Sequence, residues 1–186
     1  MSLAHTPATA LKVRGETAKH ALSANQSLLA APSLRAADRY CGVVYQGLDI
    51  RSLEDEFRQR ALKSIVVVSG LLGLTRLNES IPDYRAPIDA AVPGLGKLTN
   101  FWRPVVTPLL GRLAQTDVVV DLLTQVHRTA LVPTKDNWVT IDLVHPTLKG
   151  GHAAKFAKGR LARWLLDHEL SQLNTWQTHG WRAVVR

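Results

Sequence analysis

The sequence has only one cysteine, Cys41, so it cannot form an internal disulfide, and this suits a reducing cytoplasm. No apolar run approaches the ~20 residues of a membrane span, and the N-terminus lacks the apolar region of a signal peptide. We therefore expect a cytoplasmic protein with no membrane partner. Because only Arg39 lies nearby to stabilise a thiolate, we predict a buried, inert thiol at Cys41 rather than a redox sensor.

Patterns typical of metal sites and of nucleophilic catalysis are also missing. The seven histidines include no His-x-His or His-Glu-x-x-His pair, and no cysteine accompanies them. Ser69 lies in Val-Ser-Gly-Leu-Leu-Gly, which lacks the leading glycine of a nucleophile elbow and is more simply a turn that ends a strand. The sequence therefore predicts no metal, no cofactor and no catalytic residue.

Acidic residues are few as well. Asp and Glu total 15 against 23 Lys and Arg, a net charge of +8 at pH 7. Such a surplus is typical of proteins that bind a polyanion, either nucleic acid or anionic lipid, although a basic protein without such a partner remains an alternative. With 46% hydrophobic and 20% charged residues, the 186-residue chain is predicted to form one globular domain, residues 1–186, with a poorly patterned segment at 1–15.

Three β-rich runs predict a mixed α/β (α+β) fold with a central mixed sheet, surrounded by helices, and a basic cleft at one edge. The strands are expected at 64–69, 117–123 and 138–144, with Val118–Val120 beside the Val66 strand. A last short strand is expected from Trp181. Helices are predicted at 16–30, 53–62 and 150–168, at 35–48 running into turns at Gly42 and Gly47, and after Pro104 and Pro108.

The stretch from Lys63 to Trp102 organises the rest of the chain. A buried β-branched strand ends at Ser69, and a turn of small and apolar residues follows, which allows close approach of the backbone to a ligand or a neighbour. Arg76, Tyr84 and Arg85 come just beyond the strand's carboxyl end, where open α/β sheets bind ligands.

Two basic elements are candidate anion sites. Residues 93–97, Pro-Gly-Leu-Gly-Lys, have the hairpin form of a helix-hairpin-helix element, in which Gly94 and Gly96 let backbone N–H groups point at a phosphate and Lys97 adds charge. An ordinary glycine turn is the alternative. On the late helix, Lys155, Lys158 and Arg163 form a basic array that follows His152, and a solvated basic stripe is the alternative there.

Several motifs, in one order, resemble the YaaA-like peroxide stress resistance family, from about Glu16 to the C-terminus. The matching residues are Tyr40, Gly42, Val43, Tyr45, Gly47 and Leu48; Gly70–Leu74, Arg76, Pro82, Tyr84, Arg85 and Phe101-Trp102; and Lys155, Lys158, Gly159 and Arg163.

The resemblance implies a role in peroxide defence, duplex-DNA binding and a link to lower intracellular iron. Family members usually begin with an earlier apolar strand that this sequence lacks, so we expect a shortened member or a reading frame that starts late. After the strand at Val118–Asp121, members carry a serine and then a tyrosine. Here Thr124 and His127 stand near those positions, and we expect altered selectivity if that loop lines a pocket.

We therefore predict a cytoplasmic protein of oxidative stress defence that binds duplex DNA, or another polyanion, without base recognition. The alternative is an enzyme that acts on a small phosphorylated or nucleotide-like substrate in the same cleft.

Overall fold

The structure is a computed structural model that describes residues 3–186. Its mixed α/β fold confirms the predicted class. The helices are α1 (Gly15–Gln26), α2 (Ala36–Arg39), α3 (Val43–Leu48), α4 (Asp55–Ser64), α5 (Leu98–Thr116), α6 (Gln125–Arg128) and α7 (Gly151–Trp164). The strands are β1 (Leu34–Arg35), β2 (Val66–Ser69), β3 (Gly73–Arg76), β4 (Ser80–Ile81), β5 (Ala91–Val92), β6 (Gly96–Lys97), β7 (Val119–Asp121), β8 (Trp138–Val144), β9 (Gln177–Thr178) and β10 (Trp181–Val185).

The largest sheet has the strand order β7-β8-β10-β9, with β7 parallel to β8 and the other pairs antiparallel. The remaining strands form three two-stranded ladders, β1–β4, β2–β3 and β5–β6. The prediction that the Val66 strand lies beside the Val118–Val120 strand is therefore wrong. The three-residue turn at 70–72 folds the chain straight back, so β3 pairs with β2 and no hydrogen bond joins β2 to β7.

Burial of β2 on both faces agrees with its β-branched sequence. Val67 packs against the cluster that contains Leu48 and Leu77, whereas Val66 and Val68 pack against the cluster around Val106. The hairpin of β2 and β3 therefore separates two parts of the core. A strand in this position requires apolar residues at successive positions rather than an alternation.

Helix α5 begins at Leu98 and runs through Pro104 and Pro108, so the prediction that the helix follows these prolines is wrong. Pro104 and Pro108 each remove one N–H from the helical ladder. Burial of Val106 and Leu110 in the cluster that also holds Val68 stabilises the helix despite this loss. Tertiary packing here outweighs the local preference of proline.

The N-terminal segment carries little periodic pattern but is packed into the core. Leu3, Leu11 and Val13 are buried in a cluster with Ala21 of α1. The side chain of Lys12 forms an ion pair with Asp89, which links this segment to the loop before β5. None of the helices formed by residues 3–186 has the length and apolar character needed to cross a bilayer.

Helices α3 and α7 touch backbone to backbone through two glycines. A Cβ at Gly159 would lie 1.9 Å from the carbonyl oxygen of Val44, and a Cβ at Gly47 would lie 2.1 Å from that of Phe156. Neither distance admits a side chain, so both positions require glycine. Gly47 lies inside α3 and not in the predicted turn.

We expect Gly159→Ala to lower the free energy of unfolding by about 3 kcal/mol, because the new methyl group forces α3 away from α7. Gly111→Ala is the matched control, since Gly111 also lies inside a helix and its Cβ would meet only the Thr134 Cγ2 atom at 3.5 Å. That control should raise stability by about 0.5–1 kcal/mol through helix propensity. Urea denaturation of both variants measures the difference, and equal stabilities would contradict the requirement for close packing.

Candidate anion-binding site

A buried charge network lies at the carboxyl end of β7. The side chain of Asp121 is 0% exposed, and its Oδ2 atom accepts a 2.8 Å hydrogen bond from Nε of Arg128. The Nη1 atom of Arg128 donates to Asp142 of β8, also at 2.8 Å. Burial opposes the charge of Arg128, but the bonds and charges of the two carboxylates outweigh it and raise its pKa. The network joins the parallel pair β7–β8 and leaves the arginine charged.

Lys158 reaches from α7 into this strand end. Its ammonium donates to the carbonyl oxygens of Leu122 at 2.8 Å and of Leu123 at 2.6 Å. Burial, assisted by the charge of Arg128, lowers the pKa of Lys158 to about 8, against the opposing pull of Asp121 and Asp142. An ammonium has three donors. Two are occupied here, so one is left for a ligand.

His127 and Thr124 are hydrogen-bonded to each other beside the lysines. The Oγ1 atom of Thr124 lies 2.8 Å from Nδ1 of His127. Burial lowers the pKa of His127; the charge of Asp89 opposes this effect, and the charges of Lys155 and Lys158 add to it. The imidazole is therefore neutral at pH 7. It can offer one donor or one acceptor, but no charge, to an anion held by the lysines.

The part of the predicted site around Tyr84 is held in place by a cluster of hydroxyl groups. The Tyr84 hydroxyl lies 2.7 Å from Ser69 Oγ and 2.9 Å from the Tyr40 hydroxyl, and the Tyr40 ring stacks on Tyr45. Burial, with the neighbouring Tyr84, raises the pKa of Tyr40 above the ordinary range of a phenol. The Ser69 oxygen also accepts the N–H groups of residues 71 and 72. Ser69 therefore organises the turn after β2, as the sequence predicted.

The glycines of that turn, Gly70 and Gly73, let its backbone lie close to neighbouring parts of the chain. A Cβ at Gly70 would lie 2.1 Å from the Ala86 carbonyl oxygen, and a Cβ at Gly73 would lie 2.6 Å from the Trp102 ring. The indole N–H of Trp102 donates to the Gly70 carbonyl oxygen at 2.8 Å. Gly70 therefore admits the segment that carries Tyr84 and Arg85, and Gly73 admits the Trp102 ring of α5.

Asn25 of α1 holds that segment from the other side. Its amide nitrogen donates to the Arg85 carbonyl oxygen at 2.9 Å, and its amide oxygen accepts the Arg85 N–H at 2.8 Å. Asn25 is 1% exposed. This paired contact fixes the backbone of Arg85 and leaves its guanidinium in solvent.

The glycine hairpin is a separate element. β5 and β6 pair directly before the first residue of α5, and Gly94 and Gly96 have φ of +80° and +75°. No atom of residues 3–186 lies within 4 Å of a Cβ at either glycine, so this turn is open on the side of the described chain. Residues 82–90 before it are irregular, so of a helix-hairpin-helix element the described chain has the hairpin and the following helix. No hydrogen bond or ion pair between described residues joins this hairpin to α7.

The other predicted site residues lie in different surroundings. Arg76 is exposed at the end of β3, and Lys155 is exposed on α7. Arg163 points its guanidinium at α3 and the following 3₁₀ turn, where it donates to the carbonyl oxygens of Leu48, Asp49 and Ser52 and to the Ser52 hydroxyl. Its donors therefore cap a helix end, and its anion-binding role stays a prediction.

Sequence reasoning missed some residues of the site, and it was wrong about the exposure of Cys41, which lies outside the site. Asp121 directly follows the Val118–Val120 run, which is the one signal that could have marked it as a strand-end carboxylate. Arg128 carries no such signal, because its partners Asp121 and Asp142, 7 and 14 residues away, lie on separate strands. Asn25 carries none either, because its partner Arg85 is 60 residues away. Cys41 is exposed in the irregular segment between α2 and α3, so the prediction of a buried thiol is wrong.

Comparison with known proteins gives a consistent result. A family model described as peroxide stress protein YaaA matches residues 4–183. A UPF0246 protein of Streptomyces coelicolor is 36% identical over 159 residues, which cover 83% of this chain and 59% of that protein. UPF0246 proteins of Paracidovorax citrulli and of Shewanella sp. strain MR-4 are 31% and 26% identical and cover 76% and 77% of the chain. The chain spans about 60% of the length of these relatives.

The lowered pKa of Lys158 predicts a pH-dependent stability. Between pH 8 and about 10.5 the unfolded chain keeps this proton and the folded chain does not, so the free energy of unfolding rises with pH in that window. We expect the difference in unfolding free energy between the parent and Lys158→Met to increase over the same range. Denaturation curves at pH 7, 8, 9 and 10 measure it, and a flat difference would refute the assignment.

Asn25→Asp should lower the free energy of unfolding by about 3 kcal/mol at pH 7, because a buried carboxylate cannot donate to the Arg85 carbonyl oxygen. The loss should shrink at low pH, where the protonated acid donates again. Asn100→Asp is the control, since Asn100 is exposed in the first turn of α5, where a negative charge is favourable. Thermal denaturation at pH 4 and pH 7 checks both variants, and a loss that does not depend on pH would contradict this account.

Proposed function

Because this chain belongs to the family of peroxide stress protein YaaA, we propose that it protects duplex DNA in the cytoplasm under oxidative stress. It binds the sugar–phosphate backbone through the glycine hairpin and the start of α5, without base recognition. A second basic surface, formed by Lys155 and Lys158 of α7, extends the contact. Since the chain matches only part of its relatives' length, the proposal concerns what these residues do by themselves.

The open glycine hairpin is the observation that carries this proposal. Gly94 and Gly96 adopt positive φ, and no atom of residues 3–186 lies near a Cβ position at either glycine. The Leu95 N–H is bonded to the Val92 carbonyl oxygen, whereas the Gly94 N–H has no acceptor among the described residues and is open to a ligand. The first turn of the 19-residue α5 contains no acidic residue, and Lys97 is its N-cap residue. The partial positive charge of the helix start and the lysine charge therefore have the same sign at one exposed point. A phosphate group fits such a point whatever base it carries.

The charge distribution supports a polyanion of some length. The net charge is +8, and Arg76, Arg85, Lys97 and Lys155 are all exposed. Within residues 3–186 none of these four cations forms an ion pair. A single small anion would use one or two of them, whereas a duplex presents a phosphate every few ångströms along each strand.

An enzyme that acts on a small phosphorylated or nucleotide-like substrate is the second candidate. The observation in its favour is the strand-end group of Lys158, His127 and Thr124, in which Lys158 and His127 both have a lowered pKa and His127 is hydrogen-bonded to Thr124. Groups of this kind are common at active sites and are unnecessary for holding a DNA backbone. Lys155 is exposed beside them, and its ammonium would pair with the phosphate of such a substrate.

A binding screen at two salt concentrations separates the two functions. Duplex DNA of unrelated sequences, single-stranded DNA and mononucleotides are titrated at low and moderate salt. For the DNA-binding protein we expect duplex affinity to fall by about 0.9 log units per log unit of salt for each phosphate neutralised, with little dependence on sequence. Affinity that is insensitive to salt, or confined to one mononucleotide, would favour the enzyme.

Variants of the hairpin test the proposed DNA contact. Lys97→Gln should weaken binding equally for all sequences and reduce the salt slope by about one. Gly94→Val should cost more, because valine disfavours the positive φ and shields the N–H groups, whereas Gly94→Asn should keep most of the affinity since asparagine tolerates this conformation. Fluorescence anisotropy with a labelled duplex measures each variant.

Lys63→Gln, which removes the same charge from an exposed position on α4, is the control for Lys97→Gln. Its salt slope should stay close to that of the parent. If Gly94→Val folds normally and binds duplex DNA as well as the parent, the hairpin is only a turn and the proposed contact is wrong.

A further inference from the structure

A recess lies on the side of α7 that faces away from Lys155 and Lys158. At 100° per residue, Arg160 and Trp164 lie roughly 120–180° around the helix axis from the two lysines. The recess has a volume of about 460 Å³ and is bordered by the second half of α7, the start of α4 and the edge strand β9. That volume is within the range of small-molecule sites.

Two opposite charges in this recess have no partner in the described part of the chain. Arg163 donates to α3 and the turn after it, and Asp167 pairs with His168 at 2.5 Å. Arg160 and Glu54 also border the recess, and their side chains form no ion pair or hydrogen bond within residues 3–186. A ligand therefore meets one free cation and one free anion.

The edge of the sheet adds a free backbone amide. His179 and Gly180 both have positive φ, 44° and 79°, as a two-residue hairpin turn of type I′ requires. The pair that closes such a turn, Thr178 and Trp181, exchanges both hydrogen bonds, so the next pair does not. The N–H and C=O of Gln177 therefore point away from β10, and no other strand formed by the described residues pairs with β9 on that side.

Aromatic side chains complete the recess. Phe57 and Trp164 are half-buried and border it. The Trp164 ring stacks on His168 with a centroid separation of 4.1 Å, which fixes its orientation. A flat, partly desolvated ring is a platform for an apolar or aromatic side chain.

We propose that this recess binds a short peptide, two or three residues long, with free charged ends. Its carboxylate pairs with Arg160, its ammonium with Glu54, its central amide with the backbone of Gln177, and one side chain packs on Trp164. An extended tripeptide spans about 10 Å, so the proposal requires roughly that separation between the two charged side chains. A nucleotide fits less well, because it has no ammonium to pair with Glu54 and its phosphate carries more negative charge than a carboxylate beside Asp167. This activity is independent of DNA binding.

The test uses the tripeptide Ala-Phe-Ala in three forms: with free ends, with an acetylated N-terminus and with an amidated C-terminus. Isothermal titration with the whole chain should show saturable binding of the free form. Arg160→Gln should weaken that binding by about tenfold or more, as a lost charge-assisted pair does. Amidation should cause a similar loss in the parent and little further loss in Arg160→Gln. Glu54→Gln should likewise weaken binding of the free form. Acetylation should cause a similar loss in the parent and little further loss in Glu54→Gln.

Lys155→Gln is the control, because it removes an exposed charge from the opposite side of the same helix. It should leave peptide affinity unchanged, and Arg160→Gln should leave duplex affinity at its parental value within about twofold. Arg160 and Glu54 are exposed, so their substitutions should not disturb folding, which a melting curve verifies. Absence of saturable binding, unchanged affinity in Arg160→Gln, or an equal loss in Lys155→Gln would each overturn the proposal.

Discussion

The contact between Gly47 and Gly159 is the constraint on which most of this structure depends. It brings the backbones of α3 and α7 together without an intervening side chain, and this fixes the position of α7. On one side of that helix Lys158 reaches the end of β7, and on the other Arg160 and Trp164 border the recess beside β9. Arg163 then caps α3 from the same helix. A displacement of α7 by the width of a methyl group would alter all these contacts together.

Charge burial at the end of β7 is the second constraint. Replacing a buried ion pair by apolar residues is often neutral or stabilising, so the pairing of Asp121 and Arg128 does not by itself explain why it is there. Its effect is on position and charge: it links two parallel strands and keeps a cation close to Lys158. The lowered pKa of that lysine is thus partly a consequence of how β7 and β8 are joined.

Local patterns in the sequence predict much of the secondary structure and little of the long-range pairing. The alternation at Trp138–Val144 and the charge order along α4 give those elements nearly at their observed limits. The partner of β2 could not be inferred, because a run of β-branched residues is equally compatible with a hairpin and with a central parallel strand. Helix α5 continues through two prolines because distant residues bury it. Asn25 and Arg85 are 60 residues apart, and no local signal connects them.

The two basic elements differ in solvation, and this decides what each can contribute to anion binding. Lys97 is exposed beside an open turn, so its charge is in contact with solvent. Water and dissolved salt therefore weaken its attraction to a phosphate. Lys158 is partly buried, and two of its donors are already occupied by backbone carbonyl groups. At physiological ionic strength salt largely screens the interaction between exposed charges that lie more than about 8 Å apart, but it screens buried charges much less. A contact through Lys97 therefore suits a long, mobile polyanion, whereas a contact through Lys158 suits one anionic group held in a fixed geometry.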